Sequence, residues 1–541
     1  MNPILNKSLF VYSLTLSTIS LGAAEKTPIQ KSQINKTKPN IVFILADDMG
    51  IGDINALNPQ GKIQTNNLNS MVHNGMTFTD AHTSSSVCTP SRYGIITGRY
   101  SWRSQFKGKV LSGYSPCIIP KSRSTVASLL KNNGYNTALI GKWHLGLSFQ
   151  KKDGSVFTKL KPNNVEAEES LDLSKPIKLG PVNLGFDYFF GISGSWNMPP
   201  FAFIKNNQLQ FTKLIKFKGP IVKEPEEITI ARKAGATKKD LKNIKRKYPK
   251  IAWNKGFKDE KMTPYDAMPT FKDKTIEYIQ KQQDTDKPFF LFLSLPAPHC
   301  PIVPNKEFVG TSNAGLYGDY VIEVDDFVGS VIKTLKSTKQ YNNTLIIFTA
   351  DNGYSIKGFP NFQKEKYKHN PSYIYAGQKT SMLEGGHRVP FIALWPDKIK
   401  SGSTCRSLVS LMDLYATCAN IVNAKIPTNA AEDSFSFLPD LLQNGNHSSR
   451  TNIVHQNFAG YLGVRQYNMK LIMSKNKQSW ALYDLKKDLS ETDNLISKMP
   501  EKVKNLQNIL KNIIQNGRST PGPAQKNDTP NNWKQIYWLD E

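Results

Sequence analysis

Short, unbroken apolar runs punctuate the chain, each followed within a few residues by polar or charged positions. The first, Asn40-Ile41-Val42-Phe43-Ile44-Leu45, is too short for a helix core and apolar on both alternating faces, the pattern of a strand buried in the middle of a sheet. Thr137 to Ile140, Pro288 to Leu293 and Leu345 to Thr349 repeat it. Between them lie stretches with apolar positions three and four residues apart, Ser124 to Asn132 and Tyr320 to Lys336, which predict amphipathic helices. Strands alternating with helices predict an α/β sandwich around a large mixed, mostly parallel sheet.

The rhythm changes twice. From about Lys205 to Met262 the chain becomes Lys-rich and weakly periodic, which predicts a basic insertion over the core, partly helical and mobile. After about Cys405, short alternating segments follow one another: Gly463-Val464-Arg465, Lys470 to Met473 and Trp480 to Leu485. They predict a smaller C-terminal domain with an antiparallel sheet, closed by a helix near Glu501 to Ile514. The expected organisation is a signal peptide at 1–24, a linker at 25–38, a main domain at 39–404 carrying the insertion at 205–262, and a C-terminal subdomain at 405–541.

The signal peptide is read from Lys7, the apolar stretch Leu9 to Leu21 and the small residues Gly22-Ala23-Ala24. It predicts a secreted protein, periplasmic or extracellular, with no integral membrane segment once the signal is cleaved. Five cysteines in 541 residues are too few for a disulfide framework, and an odd number leaves at least one thiol unpaired. Cys88 is the candidate for that role, with Cys117, Cys300, Cys405 and Cys418 as possible bridge partners. The formal charge of +27 predicts a field that gathers polyanions. Charge alone does not choose among sulfated glycan, nucleic acid and anionic membrane.

In open α/β sheets ligands bind beyond the carboxyl ends of the strands. There the four buried runs deliver Asp47-Asp48, Asp351-Asn352, Lys142 with His144, and His299. Acid and amide oxygens from two strand ends suit a hard cation, and several protein oxygens with little retained water favour Ca²⁺ over Mg²⁺. The segment Cys88-Thr89-Pro90-Ser91-Arg92 places a cysteine and an arginine at a Pro-marked helix start, where free N–H groups attract an anion.

That segment, with Thr97-Gly98-Arg99 after it, resembles the signature of type I, formylglycine-dependent sulfatases of the alkaline phosphatase superfamily. The likeness extends from Pro39 to about Leu495 through Gly141-Lys142-Trp143-His144, Pro298-His299-Cys300-Pro301, Ala350-Asp351-Asn352-Gly353, and Lys379 followed by Glu384-Gly385-Gly386-His387-Arg388. The resemblance implies an alkaline-phosphatase-like sandwich. It also implies a formylglycine made from Cys88 by a separate maturation enzyme, and a sulfated carbohydrate rather than nucleic acid as substrate.

Carried over by position, Asp47, Asp48, Asp351, Asn352 and the oxygen borne by converted Cys88 hold calcium. Arg92 orients the hydrated aldehyde, while Lys142 and Lys379 bind sulfate oxygens. His144 takes a proton as sulfate is expelled, and His299, assisted by Lys379, serves the leaving alcohol. The stretch Gly194 to Ile204 and His387 resemble secreted bacterial carbohydrate sulfatases, which makes Trp196 and His387 candidates for stacking on and hydrogen bonding to a sugar. A related phosphodiesterase would carry further histidines where Asn352 stands, and a non-catalytic polyanion binder would leave Cys88 a thiol. The sugar, the sulfated position, endo or exo action and the oligomeric state are open at this level.

Overall fold

The computed structural model describes residues 38–218, 237–245, 247, 253–443, 445 and 447–540. The expected signal peptide and all but the last residue of the linker lie outside these residues. So does much of the middle of the insertion.

A ten-stranded sheet crosses the molecule. From one edge to the other its strands are β13 (Ser403–Cys405), β2 (Met76–Phe78), β12 (Phe391–Leu394), β11 (Thr344–Ala350), β1 (Asn40–Ala46), β10 (Phe289–Ser294), β4 (Asn136–Lys142), β5 (Tyr188–Ile192), β6 (Phe203–Lys205) and β7 (Gln208–Gln210). The five central strands, β11 to β5, are parallel, while β12 and β6 flank them antiparallel. The apolar runs are their middles, and β1, β10 and β11 are buried along almost their whole length. Helices Gly315–Ser337 and Val126–Asn132 occupy the two predicted amphipathic stretches. Thr125 caps the second with its hydroxyl on the Ser128 N–H.

Two small pairs complete this layer: β3 (Ala81–His82) with β14 (Val409–Ser410), and β8 (Leu214–Phe217) with β9 (Gly256–Asp259). The second pair belongs to the basic insertion. It is not a loose cover, because Phe217 of β8 packs edge-on against the stacked pair of Phe201 and Trp253.

A separate four-stranded antiparallel sheet follows, in the order β15 (Asn452–Gln456), β16 (Leu462–Gln466), β17 (Met469–Ile472) and β18 (Ala481–Asp484). Its own core holds Val454, Val464, Leu471 and Leu482 under helix Pro500–Gln515. This sheet begins only at Asn452. Residues 405–441 pack instead with the main core, since β13 extends the large sheet and helix Leu414–Ile421 lies against Val126–Asn132. The main and C-terminal parts form one compact unit from Lys38 onward.

None of the five cysteines forms a disulfide. The possible bridges among Cys117, Cys300, Cys405 and Cys418 are therefore absent; Cys418 is instead buried among apolar side chains, where a thiol behaves as a small hydrophobe, while the Cys300 and Cys405 sulfurs accept from the Asn197 amide and the Ser407 N–H.

Candidate active site

Because β11, β1, β10 and β4 run parallel and in register, their carboxyl ends reach the same level. Ala46 pairs with Ala350, so Asp47 and Asp351 emerge side by side, each turning immediately away from the sheet. Asp48 adopts a left-handed backbone, φ 65°, and its N–H donates to the Asp351 carboxylate at 3.3 Å. The turn is tied down from below: Gly50 N–H, the Tyr317 hydroxyl and His369 all converge on the Asp53 carboxylate at 2.7–2.9 Å.

Helix Cys88–Thr97 is buried at every position. Val87 gives it no side-chain cap, Pro90 sits in its first turn, and Gly98 closes it in the left-handed conformation. Its first turn thus presents unsatisfied N–H groups beside Cys88. The Cys88 sulfur lies 3.6 Å from Asp47 Oδ1 and 3.4 Å from Lys379 Nζ. Burial, and next the Asp351 carboxylate, push the Cys88 thiol up to about 12, so an unconverted thiol here is not a ready thiolate nucleophile.

Charges in the site are paired. Lys142 Nζ donates to Asp47 Oδ2 at 2.6 Å, Lys379 Nζ to Asp48 Oδ1 at 2.5 Å, and Arg92 to Asp351 Oδ2 through Nε at 2.9 Å. Burial pushes the Asp47 and Asp48 carboxyls up; Lys142 beside the first and Lys379 beside the second, with His299 near both, overcome it and hold them below the usual range. Ser294, at the end of β10, joins Arg92 to the Lys142 carbonyl.

The two histidines differ. His144, also with a positive φ, donates Nε2–H to the Leu111 carbonyl at 2.9 Å, which leaves Nδ1 as a buried lone pair with no partner. Burial, then Lys142, hold it well below the ordinary histidine range. His299 donates Nδ1–H to the Cys300 carbonyl at 2.6 Å and turns Nε2 toward Asp48 Oδ2 at 3.6 Å. Burial opposes its charge, but Asp48, Cys300 and Asp47 together overcome it and raise it.

The residues fit a hard cation. Asn352 donates its amide N–H to Asp48 Oδ1 at 2.7 Å, and what is left over is Asn352 Oδ1 and Asp48 Oδ2, both buried oxygens without a hydrogen-bond partner. Each unpaired buried oxygen costs about 1–3 kcal/mol, a cost that a cation between them would remove. Asp47, Asp48, Cys88 and His299 each bring one ligand-type atom within 4.8 Å of the others.

Two expected substrate contacts are not where the sequence suggested. Trp196 is 1 % exposed, donates its indole N–H to the Pro264 carbonyl at 2.8 Å and packs against Trp253 and Phe203. It has no free face for a sugar. His387 is fully buried and hydrogen-bonded within a polar cluster beneath the C-terminal sheet. The supporting residues Ser294, Asp53, Tyr317 and His369 were not anticipated; only Asp53 left a local signal, as the third acid of the Asp47–Asp53 turn.

Residues 39–424 match the family model described as Sulfatase, and 376–520 match that of the N-sulphoglucosamine sulphohydrolase C-terminal region. The chain is 32 % identical over 519 residues to the N-acetylgalactosamine-6-O-sulfatase of Bacteroides thetaiotaomicron, covering 91 % of this chain and 96 % of that protein. It is 30 % identical over 412 residues to the N-acetylgalactosamine-6-sulfatase of Mus musculus, covering 75 % of this chain and 66 % of the mouse protein. A solved sulfatase structure, described under the metabolism of multiple glycosaminoglycans by Bacteroides thetaiotaomicron, superposes with TM-score 0.74 at 30 % identity, covering 88 % of this chain and 99 % of its own.

Proposed function

Because the chain belongs to the sulfatase family, we propose that it removes the 6-O-sulfate of an N-acetylgalactosamine unit in a sulfated glycan, using Cys88 after conversion to formylglycine and with calcium bound. One observation carries the chemistry: the Cys88 side chain stands at a helix N-terminus between Lys379 and Asp47, at the edge where four parallel strands end. The sugar is taken from the relatives of Bacteroides thetaiotaomicron and mouse, whose names specify it.

Hydrated formylglycine would supply two hydroxyls on one carbon, one to attack sulfur and one to release sulfate without water having to attack. Calcium, held by Asp47, Asp48, Asp351 and Asn352, would neutralise charge between an anionic ester and an acidic site. The remaining work falls to this chain's own side chains. Lys142 and Lys379 already stand beside Asp47 and Asp48 and are placed to bind sulfate oxygens as negative charge grows there. Arg92, fixed by Asp351 and Ser294, sets the direction in which residue 88 points. The free Nδ1 lone pair of His144 takes a proton, and His299 Nε2 gives one to the departing sugar oxygen.

Export is part of the same reading, supported by the N-terminal pattern of Lys7 and Leu9 to Leu21; among the described residues no helix is long and apolar enough to cross a membrane. A separate formylglycine-generating enzyme is its required partner. The test is a panel of defined sulfated sugars offered to matured protein. Sulfate should be released from N-acetylgalactosamine-6-sulfate faster than from its 4-sulfate isomer or from glucosamine-6-sulfate. Preference for either of the others would reject the proposed substrate.

A further inference from the structure

Away from the catalytic edge, a second polar cluster is buried where the main sheet meets the C-terminal sheet. His82, His387 and His455 are each inaccessible to solvent, as are Glu384 and Lys470, with Arg388, Arg465 and Glu491 nearly so. Asp80 completes it, with its side chain 16 % exposed. Three carboxylates face three permanent cations. The short His82–Asp80 contact sets one tautomer chain: His82 donates Nε2–H to Asp80 at 2.8 Å, its Nδ1 receives Nδ1–H of His387 at 3.0 Å, and His387 Nε2 receives a hydrogen from Lys470 at 3.0 Å, while Arg465 Nη1, 3.1 Å from His82 Nε2, spends its hydrogen on Asp80. Lys470 gives its other two hydrogens to Glu384 at 2.9 Å and Glu491 at 2.8 Å. The Met382 carbonyl also lies 3.0 Å from His387 Nε2, but a lone pair there can use only the ammonium. Arg388 ties Glu384 to Asp80, and Arg465 grips both oxygens of Asp80 at 2.7 Å.

Three buried histidines suggest a transition-metal site, and the unpartnered Nε2 of His455 adds to that impression. The ring geometry argues otherwise. His387 and His455 lie face to face, 3.6 Å apart and 13° from parallel, so their in-plane lone pairs cannot converge on one ion. The cluster is a charge-balanced hydrogen-bond network, not a metal cage.

Its position gives it a task. His82 lies six residues before Cys88, and the intervening backbone runs along β15 of the C-terminal sheet. Ser85 bridges to Gln456 in parallel, Gln456 N–H donates to the Ser84 carbonyl at 3.1 Å, and Ser86 N–H donates to the Gln456 carbonyl at 2.9 Å. Ser85 adds its hydroxyl to the same carbonyl at 2.8 Å. On its other side the Ser86 carbonyl accepts from Thr380, next to Lys379, and Thr83 N–H donates to the His387 carbonyl. The C-terminal sheet therefore forms one wall of the channel through which the chain enters helix Cys88–Thr97.

We propose that the His82–His387–Lys470 network makes the C-terminal sheet a positioning element of the active site, by holding residues 82–86 against β15 and so fixing where Cys88 and Lys379 stand. This rests on Cys88 being the reacting residue. Lys470 contributes no atom to substrate; it acts through the strand it anchors.

The test compares Lys470→Met with Lys470→Arg in full-length protein, with rates expressed per aldehyde-bearing molecule. Displacing a reacting group by about 1 Å costs on the order of 100-fold. Lys470→Met should therefore lower kcat on 4-nitrophenyl sulfate by about 10- to 100-fold with little change in KM, and Lys470→Arg should recover much of it. Amide hydrogen exchange supplies a readout independent of turnover: the peptide spanning 82–88 should lose protection in Lys470→Met while β1 and β11 keep theirs. Should Lys470→Met fail to accumulate, His387→Gln, which can still donate to His82 and accept from Lys470, is compared with His387→Leu, which can do neither. The glutamine variant should keep most of kcat and the leucine variant lose it. Unchanged kcat per aldehyde in Lys470→Met or His387→Leu, or exchange that rises only within β16 to β18, would overturn the proposal. Absence of aldehyde in fully active wild-type protein would instead reject the Cys88 reading on which it rests.

Discussion

Replacing His299 by alanine should cost the enzyme its ordinary substrate while sparing an artificial one. His299 is buried in the loop that follows β10, with Nδ1–H committed to the Cys300 carbonyl and Nε2 facing Asp48, so it offers one proton in one direction. A sugar hydroxyl leaves as a strongly basic alkoxide unless it is protonated during S–O cleavage, and a positioned general acid contributes about 10²- to 10⁴-fold to such a step. At about 1.4 kcal/mol per decade, His299→Ala should raise the barrier for a sugar sulfate by about 3–5 kcal/mol. Nitrophenolate departs readily without a proton, so the loss on 4-nitrophenyl sulfate should stay below about tenfold. The assay is kcat/KM on both substrates for wild type and variant, with equal aldehyde content and with calcium in excess. Equal losses on the two substrates would refute the acid role and return His299 to a structural or metal-holding part beside Asp48.

Other consequences follow from particular contacts. Trp196→Ala should destabilise the protein by about 3–5 kcal/mol, read by denaturant unfolding, because it removes a fully buried indole; the surviving folded fraction should keep its KM for sugar sulfates, and a rise in KM would restore Trp196 as a sugar contact. Glu323, buried against Asn305, has its carboxyl raised by burial from 4.5 to about 7, so the folded state holds a proton that the unfolded chain releases. This group's contribution to stability therefore falls as pH rises from 4.5 to about 7, by at most about 3 kcal/mol. Glu323→Gln should flatten that part of the stability–pH curve, and an unchanged slope would rule the group out. If the +27 charge steers substrate, initial rates on a sulfated polymer should fall with salt as the Debye length shrinks from about 10 Å at 0.1 M to about 3 Å at 1 M, while rates on 4-nitrophenyl sulfate barely change; identical responses would reduce the charge to composition.

What the sequence revealed, and what it hid, follows the range of the interactions involved. Runs such as Asn40 to Leu45 and Leu345 to Thr349 are apolar on both faces because β1 and β11 are covered on both, and the carboxyl-end rule then brings Asp47, Asp48, Asp351, Asn352, Lys142, His144 and His299 to one edge without knowledge of any contact. β15 escaped notice. Its Asn452-Ile453-Val454-His455-Gln456 reads as half polar, since the His455 ring joins the buried network and the Gln456 amide donates to the Lys107 carbonyl rather than packing in a hydrophobic core. Trp196 misled for the opposite reason: an aromatic among Gly194, Ser195 and Asn197 has the composition of a binding loop, and the Trp253 that buries it lies far along the chain in a segment whose Lys-rich surroundings conceal its packing. His82 lies about three hundred residues before His387, and His455 follows in a different sheet, so only the topology assembles them. The cysteines are a further case, since pairing depends on distances that spacing along the chain does not encode.

The proposed chemistry needs residue 88 to work as an aldehyde and not as a thiol. It is tested most directly by mass spectrometry of the peptide carrying Cys88, taken from protein co-produced with a formylglycine-generating enzyme and active on a sulfate ester. That peptide should carry an aldehyde that hydroxylamine captures, in a fraction that tracks specific activity from one preparation to the next. An unmodified thiol at Cys88 in protein of full activity would contradict it.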